Sequence, residues 1–283
     1  MTIFRDIKHC FSFLTRFPVS KNINIDEDVA PKIWLFPIVG FVLGLISSII
    51  GLLLFRFLPL LLVGFIILGS MLFMTGVHHT DGLIDFGDGL MVMGSPERKI
   101  KAMHDVAIGA GGFTLAFIVL LLTGIAISYS MSYIIISLVV SEIGAKFGMV
   151  AACSFGKSAG TKTVEPFIRF NKKKHLFLSF ILSALLIYFT ILIISYFNLV
   201  YNENYYLKLI FSPHNPISPN DLEQILFIYL IFLLGTFFPL FIILRLANRN
   251  FNGLTGDCIG ALNEIIRLSI LILNILFWSL KII

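Results

Sequence analysis

Long apolar runs alternate with short polar connections along nearly the whole chain. Seven of them, approximately residues 33–55, 57–77, 112–130, 132–153, 175–198, 224–247 and 261–282, approach the roughly 20 residues a helix needs to cross bilayer hydrocarbon. The pattern predicts an all-α, polytopic transmembrane bundle of about seven spans. The first two form a tight pair around Arg56 and Pro59, and Tyr129 to Ser132 join the third to the fourth. Residues 1–32 read differently. Phe4, Ile7, Phe11, Phe13, Leu14 and Phe17 recur at near-helical intervals among Arg5, Asp6, Lys8, Arg16 and Lys21. This predicts an amphipathic helix lying on the membrane surface. No uninterrupted apolar core precedes a small-residue cleavage site, so the segment does not read as a signal peptide. The whole chain, 1–283, is read as one integral membrane domain.

Composition agrees with a lipid environment. Of 283 residues, 58% are hydrophobic and 13% charged, with a mean hydropathy of +0.96. A soluble surface needs about twice that charged fraction. Cys10, Cys153 and Cys258 lie far apart without metal-type spacing, and Cys153 and Cys258, which adjoin apolar segments, read as small buried hydrophobes.

Charge then sets orientation. The N-terminal region and the second-to-third, fourth-to-fifth and sixth-to-seventh connections hold 16 basic residues, against 3 on the other side, with Lys146 and Arg267 inside spans. The positive-inside bias places the N-terminus and these connections in the cytoplasm of a multi-pass cell-membrane protein. The net charge of +5 therefore reflects orientation in the bilayer and not nucleic-acid binding. Lys172 to Lys174 read as a cytoplasmic anchor, and 199–223 as an exterior loop without chemistry.

The chemistry concentrates in 78–89, His-His-Thr-Asp-Gly-Leu-Ile-Asp-Phe-Gly-Asp-Gly, which directly continues the second run. Asp81, Asp85 and Asp88 follow i, i+4, i+7 spacing and share one helical face, within about 60°. Three stacked carboxylates repel one another, and a divalent cation would relieve the conflict. Oxygen-only ligands favour magnesium or manganese over zinc. The glycines Gly82 and Gly89 share a second face open to close approach. Further on, Asp105 precedes the glycine-rich turn Gly109 to Gly112, whose N–H groups could receive phosphate oxygens at a helix start. A second acidic site opens the last span: Gly256, Asp257, Ala261 and Glu264, where Asp257, Ala261 and Glu264 repeat the same spacing. Glu264 near the bilayer boundary needs either a role or a partner, with Arg267 at i+3 available. Glu142 and Lys146, four apart, could pair within the bundle.

These blocks together resemble the cobalamin synthase, or adenosylcobinamide-GDP ribazoletransferase, family. Thr15-Arg16-x-Pro18, the Phe36-Pro37-x-x-Gly40 block with Gly44, and His79-x-Asp81-Gly82-Leu83-x-Asp85-x-x-Asp88-Gly89 occur in the family's order. They are followed by Met103-x-Asp105-x-x-x-Gly109 and Gly253-x-Thr255-Gly256-Asp257-x-x-Gly260-Ala261 with Glu264. Val106-Ala107 replace a frequent Ser-Arg pair, and Lys146 stands where arginine is common.

The resemblance implies attack by a hydroxyl of α-ribazole, or of its 5′-phosphate, on the β-phosphorus of adenosylcobinamide-GDP. GMP leaves, and adenosylcobalamin or its phosphate forms. It implies Mg2+ on Asp81, Asp85 and Asp88, a catalytic part for His79, and substrate contacts at Thr15, Arg16, Gly82, Asp105, Gly109, Gly256, Asp257 and Glu264. A homo-oligomer or contact with other cobalamin-assembly enzymes stays open. On a continuous helix His78, not His79, lies beside the aspartates, so His79 supports the site from elsewhere or the helix breaks near Gly82. Two rival classes are a CDP-alcohol-type phosphotransferase, whose Ala-Arg element and aspartate spacing are missing, and a cation transporter relaying through Asp81, Glu142 and Glu264.

Overall fold

A computed structural model describes residues 2–200 and 221–282 of the protein. Its named elements are all helical: α1 (Ile3–Leu14), α2 (Phe36–Leu54), α3 (Leu60–Thr75), α4 (His78–Met91), α5 (Pro96–Met103), α6 (Ala110–Tyr129), α7 (Ile134–Phe155), α8 (Glu165–Phe170), α9 (Lys173–Val200), α10 (Leu222–Phe251) and α11 (Gly256–Ile282). Six helical stretches, those of α2, α6, α7, α9, α10 and α11, are long and apolar enough to cross a membrane, and a seventh if α3 and α4 count as one bent span. The exterior loop read at 199–223 lies largely outside the described residues. The three cysteines are buried free thiols.

One apolar run is cut short. The stretch 57–77 yields α3, with 16 residues and a length of about 24 Å. Gly76 (φ 67°) and Val77 (φ 56°) both adopt the left-handed conformation, and α4 leaves at 94° to α3. The aspartate stretch therefore does not continue the second span; it forms a separate helix running crosswise. A β-branched residue in that region is a true outlier, held in place by what surrounds the turn.

The bundle is organised on α7. Within its most apolar stretch 94% is buried, against 33% in α9 and 39% in α10, so α7 is the centre and the other two face lipid. Gly40 and Gly44 of α2 press against the α7 backbone at Glu142 and Val139. Small residues allow such contact, which drives helix association where lipid removes the hydrophobic incentive.

The segment before α2 is more than a surface helix. α1 is amphipathic, with Ile3 and Phe4 exposed and Cys10 and Leu14 buried. Its buried face packs on the turns Ile25–Val29 and Ala30–Leu35, fastened by Asp6 to Lys32 (3.1 Å) and His9 to Asp28 (3.5 Å).

Between α7 and α11 lie two carboxylates and two cations, each at most 1% exposed: Glu142, Lys146, Glu264 and Arg267. Arg267 donates to Glu142 through Nε and to Glu264 through Nη1. Lys146 donates to Asn263 Oδ1 (2.7 Å) and Glu142 Oε2 (3.4 Å), and Asn263 Nδ2 donates to Glu264. Isolated charges are costly in an apolar interior, and this set survives because it is neutral and mutually bonded. The pairing expected of Glu142 with Lys146 is present within a larger network. Glu264 pairs with Arg267, so its carboxylate serves the bundle.

Removing one member exposes the design. Arg267→Met should cost about 3–5 kcal/mol by leaving Glu142 and Glu264 without their shared partner. Thermal unfolding in detergent should show a much lower midpoint, and an unchanged midpoint would contradict the network's role.

Candidate active site

Helix α4 lies across the N-terminal ends of α6 and α11, and its glycines permit this. A Cβ added to Gly82 would sit 3.1 Å from Asp257 Cα and 3.3 Å from Gly260 Cα, so the two backbones nearly touch. Nearby, Phe86 approaches Phe251, at the end of α10, edge-on with centroids 5.9 Å apart. At the N-terminal end of α4 the turn is steadied by Arg16. Its backbone N–H donates to Met74 O (2.8 Å), and its aliphatic stem lies over Gly76, where a side chain would collide with it. The guanidinium end belongs to an exposed residue beside His78.

The α4 helix runs unbroken through Gly82, so the three aspartates keep the common face that their spacing predicts. Asp81 is exposed, and Asp85 and Asp88 are partly so. They do not act alike. Asp88 Oδ2 accepts from Gly109 N (2.8 Å) and Oδ1 from Gly112 N (2.7 Å). Gly109 is the N-cap position of α6 and has no side chain to cap it, so Asp88 supplies the missing acceptor from another helix. The glycine-rich turn thus directs two N–H groups to Asp88.

Asp85 faces the opposite problem. Burial, then the charges of Asp257, Asp81 and Asp88, push its carboxyl up to about 7. Asp257 thus acts on Asp85 from another helix, together with the two aspartates on Asp85's own helix. It stands in the first turn of α11, begun by Thr255, whose Oγ1 accepts from Cys258 N (3.2 Å). Asp257 also lies within electrostatic reach of Asp81 and of His104. Nothing in the sequence singled out His104, because its placement depends on how α5 folds back against the site.

His79 is 7% exposed and lies on the inner face of α4. Its imidazole is held neutral, far below its usual value, by burial and then by the charges of Lys146 and Arg267. Its Nδ1 is buried without a partner among the described residues. His78 is exposed on the aspartate side, as a continuous helix requires. A cavity of about 540 Å³ opens here, with His78, His79, Asp81, Gly82, Gly256 and Asp257 in its lining.

Three other expected residues, Thr15, Asp105 and Glu264, are not among those lining the cavity. Thr15 is buried, its hydroxyl donating to Phe11 O (2.7 Å) and accepting from Phe17 N (3.2 Å) at the end of α1. Asp105 is exposed and accepts from Ala107 N (3.1 Å), shaping its loop. Glu264 is absent from the cavity lining. Among the described residues, no three His, Cys, Asp or Glu side chains converge as metal ligands. The donor set nevertheless fits a hard divalent cation. Asp81, Asp85 and Asp257 would offer it carboxylate oxygens, and the Asp85 carboxyl is raised by burial and then by the neighbouring aspartate charges.

The fold and site define a multi-pass helical membrane protein with an acidic crossing beside an open cavity. The chain belongs to the cobalamin-5-phosphate synthase family, whose model matches residues 6–275. It is 31% identical over 277 residues to an adenosylcobinamide-GDP ribazoletransferase of Methanocella arvoryzae, covering 96% of each chain. It is 30% identical over 267 residues to the protein of that name from Pyrococcus abyssi, covering 94% of this chain and 96% of the relative. A third, from Methanococcoides burtonii, is 28% identical over 279 residues, covering 94% and 89% respectively. No solved structure matches.

The crowded carboxylates make stability depend on pH. With its pKa raised from 3.8 to about 7, Asp85 retains a proton in the folded state that the unfolded chain has lost. Its contribution therefore falls as pH rises across that window and levels off above it. Melting curves without divalent metal should show this decline, and Asp85→Asn should lessen it; a variant with the wild-type slope would contradict the assignment.

Proposed function

We propose that the chain is an adenosylcobinamide-GDP ribazoletransferase, performing the final nucleotide-loop assembly step of cobalamin biosynthesis. It joins adenosylcobinamide-GDP to α-ribazole, or to α-ribazole 5′-phosphate, and releases GMP. One observation carries the reading: two acidic signatures far apart in sequence meet where Gly82 of α4 touches Asp257 and Gly260 of α11.

In the reaction a ribose hydroxyl oxygen forms a bond to the β-phosphorus while the phosphoanhydride bond to GMP breaks. The hydroxyl proton goes to whichever carboxylate of Asp81 and Asp257, both lining the cavity, is not engaged by the metal. Asp81, Asp85 and Asp257 would hold Mg2+, which when bound supplies positive charge for the diphosphate and the departing GMP. Asp88 acts at one remove, fixing the start of α6 against α4. Arg16, exposed at the bend beside His78, is suited to a phosphate oxygen. His79 lines the chamber as a neutral imidazole and orients substrate by hydrogen bonding. The bias of 16 basic residues to 3 supports a site facing the cytoplasm at the cell membrane. A cation relay finds no support in Glu142 and Glu264, since both carboxylates are engaged by Arg267.

Purified protein given adenosylcobinamide-GDP, α-ribazole and Mg2+ should release GMP, and chelation should stop it. No GMP under conditions where an established synthase works would sink the assignment. Asp85→Asn and Asp257→Asn should each lower turnover by about 100-fold or more in folded protein. Asp88→Asn should lose less, because its role is to hold a helix; the reverse ranking would overturn the division of roles.

A further inference from the structure

The cavity beside the acidic crossing has two unlike ends. One carries His78, His79, Asp81 and Asp257, and the other is apolar. The apolar end is walled by Phe13 from α1, Phe36 from α2 and Phe167 from α8, with ring centroids 5.3 to 6.3 Å apart. Met149 and Cys153 of α7 also line it. The residues between α1 and α2 add Ile23, Ile25 and Ile33 to the lining, so the N-terminal segment forms a wall of this chamber.

We infer that this chamber is the acceptor-nucleoside site, holding the aromatic base of α-ribazole among Phe13, Phe36 and Phe167 and presenting its ribose to Asp81 and Asp257. The inference rests on the transferase reading above and names which substrate the chamber takes.

Three observations carry it. The first is size. A volume of about 540 Å³ falls within the range of sites for small, drug-sized molecules. A nucleoside belongs to that class, whereas a corrinoid bearing a nucleoside diphosphate is far larger and must remain mostly outside. The second is the order of polarity. A dimethylbenzimidazole is flat and largely apolar, suited to a wall of phenyl rings, and its ribose is polar and carries the attacking hydroxyl. With the base inside, that hydroxyl emerges at the carboxylates. Guanine fits the phenyl wall poorly, because its amide edge would lie against Phe13, Phe36 and Phe167, which offer it no hydrogen bond. The third is His79, a residue 7% exposed that lines the chamber and whose Nδ1 has no partner among the described residues. A nucleoside hydroxyl or ring nitrogen would satisfy it.

The test compares the two substrates in the full-length protein. Phe167→Ala removes part of the ring wall, and Cys153→Leu fills space at the α7 side. Each should raise the KM for α-ribazole by about tenfold, equivalent to about 1.4 kcal/mol, with the KM for adenosylcobinamide-GDP unchanged. Cys153→Leu should also shift preference toward the riboside of unmethylated benzimidazole. A rise confined to the KM for adenosylcobinamide-GDP would place that substrate in the chamber and overturn the inference. So would two variants with both constants unmoved. Should Phe167→Ala fail to fold, Cys153→Leu decides alone. A wild-type protein that releases no GMP would count against the transferase reading instead. Direct titration of wild type and Cys153→Leu with α-ribazole then still decides the site: binding weakened by the substitution supports it, and equal binding or none refutes it.

Discussion

Carboxylates on two different helices can share a site only if the helices cross almost without side chains between them. At Gly82 and Gly260 that condition is met, and the rest of the acidic site depends on it. A methyl group at Gly82 would press on the α11 backbone at Asp257, moving this carboxylate away from Asp81 and Asp85. The crossing also requires α4 to leave the end of α3 at a steep angle. Gly76 and Val77 provide the turn, with Arg16 laid over it.

Support for the crossing lies within the bundle. Helix α11 carries Asp257 at its start and Arg267 about 15 Å deeper, at 1.5 Å per residue. Through Arg267, Glu264 and Asn263 it is bonded to Glu142 and Lys146 of α7, the most enclosed helix. The charged network therefore fixes the helix that presents Asp257. Its cations also surround His79 electrostatically, which connects the interior of the bundle to the wall of the chamber.

The apolar runs located six spans because a bilayer imposes length on any helix that crosses it. The sharp bend between the second run and the aspartate stretch was not legible, because Val77 carries no signal of a left-handed turn. Spacing alone placed Asp81, Asp85 and Asp88 on one face, since helical period fixes angles. Which of them faces substrate depends on neighbours that no period encodes. Asp88 reaches Gly109 and Gly112 only because α4 lies over the start of α6. Asp257 was visible as part of a second acidic site at the start of the last span, whereas its approach to Asp85 requires two helices to meet. Thr15 matched a family block, yet its hydroxyl serves the end of α1. The Glu264–Arg267 spacing was visible, whereas Glu142 as the second partner of Arg267 was a tertiary fact.

The central claim is that the acidic site belongs to α4 and α11 jointly, with Asp88 turned to α6. Manganese titration followed by electron paramagnetic resonance tests it without requiring turnover. The account predicts that Asp257→Asn weakens Mn2+ binding about as much as Asp85→Asn does, and that Asp88→Asn weakens it least. Wild-type affinity in Asp257→Asn together with lost binding in Asp88→Asn would contradict it.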